Sequence, residues 1–231
     1  MKEGLFETSV YFGVFISLAA YGIGVWLKRF TGWSFANPLF IAIVLVMAFL
    51  ALAGIDYETY NHSAQPITFL LTPSTICLAV PLYQQIDLLK KNVRAVMAGI
   101  VSGVFSSLCI ILLLSVLFRL DHASYVTFLP KSITTAIGIS VTEELGGYVA
   151  ISVAVIIITG VLGGMFAEKW FKLLRITEPI ARGIALGSSS HAIGTAKAME
   201  LGPEEGSMSS LSIVVCGIIT VIAAPFFADL L

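Results

Sequence analysis

Between two apolar stretches of this chain, Ser188 to Gly206 reads SSSHAIGTAKAMELGPEEG, which places a histidine, a lysine and three glutamates behind a run of serines. An ionisable group at the centre of a bilayer costs at least ~2.5–3.5 kcal/mol on insertion scales, so such a cluster in a lipid-adapted chain is first of all a functional-site hypothesis. It has a twin. A shift of 56 positions aligns Ser132–Gly138 (SITTAIG) with Ser188–Gly194 (SSSHAIG) and Glu144-Leu145-Gly146 with Glu200-Leu201-Gly202; seven of the fifteen aligned positions are identical. The chemistry suggested is capture of a small anion. Helix starts expose unpaired N–H groups and the positive end of the helix dipole. Ser188, Ser189 and Ser190 before His191, and Pro130-Lys131-Ser132 before Ile133, resemble such starts. Lys131, Lys197 and His191 would hold a carboxylate, with hydroxyls of Ser132, Thr134, Thr135, Ser190 and Thr195 orienting it. Ser74, Thr75 and Asn37 stand at comparable interruptions.

Each of these residues also has a plainer reading. Lys131 and Lys197 could snorkel to the interface. His191 is either an interior histidine donating to a carbonyl or a ligand and proton carrier. Glu144 and Glu200 are either solvated loop acids or carboxylates for proton coupling or lysine pairing, while Glu143, Glu204 and Glu205 read as loop charge. Asn37-Pro38 is most simply a helix start, and Gly160, Gly163 and Gly164 suit close helix packing. No GxSxG, HExxH or GxxxxGK[ST] motif occurs, and on a helix Ser190 and His191 would point about 100° apart, so no enzyme is expected. Cys77, Cys109 and Cys216 fall in apolar runs without ligand spacing, so neither disulfides nor a metal are expected, and no cofactor is indicated.

The elements that must position these groups belong to a membrane. Hydrophobic residues make up 58% of the 231 positions and charged residues 12%, against roughly 45–50% and 25% in soluble domains, and mean hydropathy is +0.97. With a net charge of −1 and no basic stripe, nucleic acid is not an expected partner. Val10–Leu27, Phe35–Ile55, Ala95–Phe118, Tyr148–Phe166 and Met208–Ala228 are each long enough to span, about 20 residues being required. Pro66–Tyr83 is expected to make a sixth crossing despite its prolines, whereas Tyr125–Val141 and Gly183–Leu201 are more polar and read as re-entrant or broken. Lys and Arg collect on the cytoplasmic side. If Tyr125–Val141 makes no net crossing, nine of the thirteen basic residues share that side and the N-terminus lies outside. The first apolar run reads as a spanning anchor rather than a cleavable signal.

The predicted fold is therefore all-α and polytopic: about six transmembrane helices plus two re-entrant segments, in one domain covering residues 1–231. Units of about 125–167 and 183–228 would form a partial inverted repeat, because each changes side once. Such repeats set broken elements against one another near the bilayer midplane in secondary transporters.

Several of these segments resemble the LrgB/CidB family. The resemblance rests on Asn37-Pro38-Leu39; Pro73-Ser74-Thr75 with Ala79-Val80-Pro81-Leu82-Tyr83; and Leu129-Pro130-Lys131-Ser132-Ile133-Thr134-Thr135. It continues through His191 to Lys197, Glu200, Glu205-Gly206 and Ser209-Ser210-Leu211. It covers the chain from about residue 35 to the end, with small departures such as Ala136 where some relatives carry proline. It implies two activities: antiholin-like control of murein hydrolases and autolysis with a small LrgA/CidA-like membrane partner, or carboxylate transport. The second is as in the related plastidic glycolate/glycerate translocator and in bacterial relatives linked to pyruvate. A homo-oligomer in the bacterial cytoplasmic membrane, moving glycolate, glycerate, pyruvate or lactate with or without protons, is the expectation.

Overall fold

A computed structural model describes residues 11–31, 37–77 and 79–231, with side chains at 71, 72, 75, 81 and 82 outside the description. Packing divides the chain into two compact units, Met1–Cys77 and Leu78–Leu231.

In the first unit, α1 (Phe12–Thr31) ends on Lys28 and Arg29, whose charge suits the carbonyl end of a helix. Asn37 then caps α2 (Pro38–Ala53), its side-chain oxygen accepting from the amides of Leu39 and Phe40 at 2.9 and 3.4 Å. Pro38 stands at the first position, where a missing N–H costs nothing, so Asn37-Pro38 is a helix start. Gly54, at φ 66°, closes α2 in the left-handed conformation that glycine adopts without strain. Asp56 caps α3 (Tyr57–Phe69), and α4 (Leu71–Cys77) follows. α1 packs on both α2 and α3.

The interruptions expected in Pro66–Tyr83 are present. Pro66–Tyr83 does not form a single helix: α3 ends at Phe69, and the remainder divides into α4 and, in the second unit, α5 (Ala79–Gln84). Pro73 and Pro81 each fall in the first turn of their short helix. That is where proline is tolerated, so each proline restarts a helix instead of extending one.

The second unit continues with α6 (Ile86–Phe118), α7 (His122–Phe128), α8 (Thr135–Glu144), α9 (Val149–Leu173), α10 (Pro179–Leu201) and α11 (Pro203–Ala228). Asp121 caps α7; the Ser124 hydroxyl bonded to it holds its carboxyl below the usual range. Together α7 and α8 make a hairpin, because the chain is back beside Thr127 at Tyr148, whose N–H donates to the Thr127 hydroxyl at 2.8 Å. This agrees with no net crossing over Tyr125–Val141.

α10 makes the second hairpin. His191, at φ 41° and ψ −136°, is not helical, a backbone conformation that costs a non-glycine residue about 1–3 kcal/mol. The arms, 179–190 and 192–201, fold back so closely that a Cβ on Gly194 would collide with the Leu186 carbonyl and lie 2.6 Å from Ser190 Cβ. Shifted by 56, α8 would cover 191–200, one residue from the second arm, and α9 would begin at 205, close to the start of α11. The sequence offset thus carries the element boundaries as well as the residue types.

Four described helices, α1, α6, α9 and α11, are long and apolar enough to cross a membrane, and α2 is a shorter apolar helix. Large side chains such as Leu113 and Leu117 on α6 and Ile218 and Ile222 on α11 face outward. The described residues contain no strand. The chain is an all-α polytopic membrane protein.

Candidate functional site

Within the second unit the hairpins approach α9 from its opposite ends. The α7–α8 hairpin joins its N-terminal end and α10 its C-terminal end, about 37 Å apart for 25 helical residues. Their inner parts meet α9 near its middle. The Ile156 side chain packs on Gly138 of α8, while the Ile156 carbonyl bonds to His191 Nε2 at 2.9 Å. Ser190 and His191 sit against Gly163 and Gly160; a Cβ on Gly160 would lie 2.6 Å from the imidazole. These glycines do provide close helix approach, and what approaches is the break in α10.

α6 runs alongside the first arm of α10 in the same direction, Gly99 facing Ile184 and Gly103 facing Ser188. Between them opens a cleft of about 830 Å³. Asn92 and Glu178 line it at one end, Lys131 and Ser132 from the first hairpin at the other, and Ser188 and Ser189 along the α10 wall. The α6 wall carries Gly99, Ser102, Gly103, Ser106 and Ser107, one small or hydroxyl face on the apolar stretch that follows Arg94. Lys131 is half-buried, and its ammonium donates to Ser132 Oγ at 3.2 Å. Among the described residues no carboxylate pairs with Lys131. A half-buried ammonium beside several hydroxyls can form charge-assisted hydrogen bonds to one negative group. The end of the cleft at Asn92 and Glu178 shares its side with Lys90, Lys91 and Arg94 of α6, Lys169 and Lys172 of α9, Arg175 and Arg182. Glu178 is itself a carboxylate of that lining and Arg182 is paired with Glu205, so this end carries both signs of charge with the basic residues in excess.

The other expected site residues have different surroundings. Ser190 bonds to Ser189, and Thr195 bonds to the His191 carbonyl and to Ser209 Oγ at 2.7 Å, both being buried. His191, 3% exposed, is the interior histidine donating to a carbonyl and does not line the cleft. Thr134 precedes α8 as its N-cap residue and Thr135 begins it, two residues later than the start expected at Ile133. Ser188, Ser189 and Ser190 end a helical arm instead of capping one. Lys197 stands apart from the cleft lining: two turns beyond the hairpin tip, its ammonium is engaged by Glu168 at 2.7 Å and Glu200 at 3.1 Å, the lysine pairing that is one reading of Glu200. Glu144 is exposed at the end of α8, and neither it nor Glu200 lines the cleft. Asn37 and Ser74 belong to the first unit; the Thr75 side chain lies outside the described residues.

The family profile described as LrgB-like matches residues 17–230, nearly the whole chain. The chain belongs to the LrgB-like family. It is 40% identical over 224 residues to the antiholin-like protein LrgB of Bacillus subtilis (strain 168), covering 96% of this chain and 97% of that one. The antiholin-like protein LrgB of Bacillus cereus (strain B4264) is 38% identical over 218 residues, covering 94% and 95%. No solved structure matches.

Two features of this LrgB-like chain escape a reading of its residues alone. The α6 face is one; its signal is the spacing of Gly99, Gly103 and Ser107 at four-residue intervals, which places small groups along one side of a helix. Glu205 is the other, and the reading of it as loop charge is corrected. It is 6% exposed in the first turn of α11 and pairs with Arg182 at 3.9 Å, while Arg182 also donates to the Ile176 carbonyl and lies 5.8 Å above the Phe171 ring. Arg182 thereby ties the base of the second hairpin to the ends of α9 and α11. Because Arg182 keeps solvent access, Glu205→Ala is expected to cost about 1–2 kcal/mol, less than breaking a fully buried pair. Thermal unfolding in detergent measures this, and an unchanged midpoint would remove the latch from the account.

Proposed function

We propose that this chain moves small monocarboxylates of the glycolate, glycerate, pyruvate or lactate type across the bacterial cytoplasmic membrane, its basic end facing the cytoplasm. The supporting observation is the meeting of two broken-helix hairpins from opposite ends of α9 at a cleft whose deep end holds Lys131 and Ser132. Broken elements at membrane depth are tolerated where they line a cavity, and a single unpaired ammonium matches a single carboxylate. Proton coupling belongs to the same proposal, although Glu144, Glu200 and His191 stand outside the cleft lining. Assembly as a homo-oligomer, and action beside an LrgA/CidA-like partner, complete it.

The relatives are named antiholin-like, which favours a second reading, the antiholin-like control of murein hydrolase activity that the family resemblance implies. That activity makes no demand for an anion-sized cleft. Labelled pyruvate and glycolate offered to liposomes containing the purified protein separate the two readings. Uptake at least tenfold above empty vesicles is expected, increased by an inward proton gradient if coupling holds. Flat uptake with and without the gradient and the partner would retire the transport reading and leave the regulatory one.

A further inference from the structure

The deep end of the cleft borders a second space. Ser107, Ser132 and Ser188 line both the cleft and a small void of about 10 Å³, the lower limit for holding one water. Beyond those serines the void is bounded by Leu129 and Ile133 from the first hairpin's tip, Leu108 of α6, and Cys216 and Thr220 of α11. Leu108, Leu129 and Ile133 are each no more than 2% exposed, and they belong to the apolar core that fills the rest of the distance to the far end of the unit. There the Tyr125 hydroxyl donates to the Phe227 carbonyl near the end of α11. The cleft is exposed along its length, at Ala95, Ser102, Ser106, Ile110 and Ser189, and the core behind Ser107 and Ser132 is thinnest at this void.

That thin place has the chemistry of a gate. Ser107 Oγ and Ser132 Oγ stand 3.2 Å apart at the boundary, and the Thr220 hydroxyl lies on the other side of it. Two hydroxyl positions in succession supply the hydrogen bonds that a dehydrated carboxylate loses on leaving water. The blocking side chains of Leu129 and Ile133 lie in the turn between α7 and α8. Their displacement breaks no helical hydrogen-bond ladder, whereas moving α6 or α11 would disturb a spanning helix.

We propose that the Ser107–Ser132 contact, with Leu129 and Ile133 behind it, is the far gate of a through-path that continues along α11 past Thr220 and Cys216. This gate rests on the transport reading and adds to it which element must move and where the solute goes next.

Cys216 reports on the path directly. It is buried while Cys77 and Cys109 are exposed, so in a Cys77→Ala/Cys109→Ala background it is the single remaining thiol. A thiol reacts as thiolate, and a dry one is inert. A charged methanethiosulfonate reagent added to this protein in lipid nanodiscs should modify Cys216 slowly. Leu129→Ala should raise the rate at least tenfold by opening this thin core to water, and Ile133→Ala should do the same if Leu129→Ala does not fold. Unchanged labelling in the folded variant overturns the path. The gate itself is tested by Ser107→Cys/Ser132→Cys in a background with all three native cysteines replaced by alanine. Oxidation should block labelled pyruvate uptake and reductant should restore it at least tenfold, whereas equal uptake in both states overturns the gate. Labelling requires no solute movement, so the two readings fail separately. A reactive Cys216 in a protein that moves no carboxylate upholds the path and removes its proposed cargo, and an inert Cys216 in a transporting protein removes the path alone.

Discussion

Lys131→Ala is expected to lower monocarboxylate uptake at sub-saturating substrate by about tenfold to a hundredfold, whereas Lys197→Ala should leave it within about twofold. The two lysines were equal candidates by sequence, and their surroundings separate them. A hydrogen bond to a charged group contributes roughly 1.5–3 kcal/mol, and each ~1.4 kcal/mol is a factor of ten in binding. Lys131 has this to offer because, among the described residues, its ammonium bonds to the Ser132 hydroxyl and pairs with no carboxylate, leaving its charge uncompensated beside the cleft. Lys197 does not, because Glu168 and Glu200 already neutralise it. Removing that half-exposed pair should cost at most about 1 kcal/mol of stability. Lys131→Met keeps most of the side-chain stem and should behave like alanine if charge is what matters. Uptake into liposomes, normalised to folded protein, is the measurement; a Lys131→Ala protein that transports at the parent rate while Lys197→Ala is inactive would reverse the assignment.

The offset repeat was legible because its signals are local. Serines, glycines and ionisable groups interrupt apolar runs, and they recur 56 residues apart whatever the tertiary arrangement. Which way each group faces was not legible, since a chain that reverses at His191 gives neighbours unrelated surroundings. Ser188 and Ser189 line the cleft, Ser190 meets Gly163 of α9, and Thr195 meets Ser209 of α11. Glu205 illustrates the same limit: it pairs with Arg182, which the Ile176 carbonyl and the Phe171 ring hold in turn, all far upstream. Where Pro66–Tyr83 breaks is a separate matter. Summed hydrophobicity measures whether a segment tolerates lipid, and it is blind to where proline restarts the backbone.

The other large effect belongs to a residue with no chemistry of its own. Gly187 lies on the first arm of α10, and a Cβ there would collide with the Ser209 carbonyl and stand 2.7 Å from Ser212 Cβ. One turn earlier, a Cβ on Gly183 would lie 2.5 Å from the Glu205 carbonyl. The arm and α11 therefore touch backbone to backbone, the arrangement that small residues four apart permit in membranes. A carbonyl on a helix cannot rotate aside as a side-chain end can, so Gly187→Ala must push the arm off α11. Overpacking of this kind costs typically about 1–3 kcal/mol, more than the ~0.8–1 kcal/mol gained from replacing glycine inside a helix. The arm would be displaced towards α6, narrowing the cleft that Ser188 and Ser189 line from its other side. Uptake should consequently fall along with the unfolding midpoint. Gly22 in α1 is the control, because among the described residues nothing lies within 4 Å of its would-be Cβ. Gly22→Ala should leave uptake unchanged and raise the midpoint slightly through helix propensity alone. If both alanines shift the midpoint in the same direction, the second hairpin is not seated on α11 as described, and the cleft's geometry would need to be redrawn.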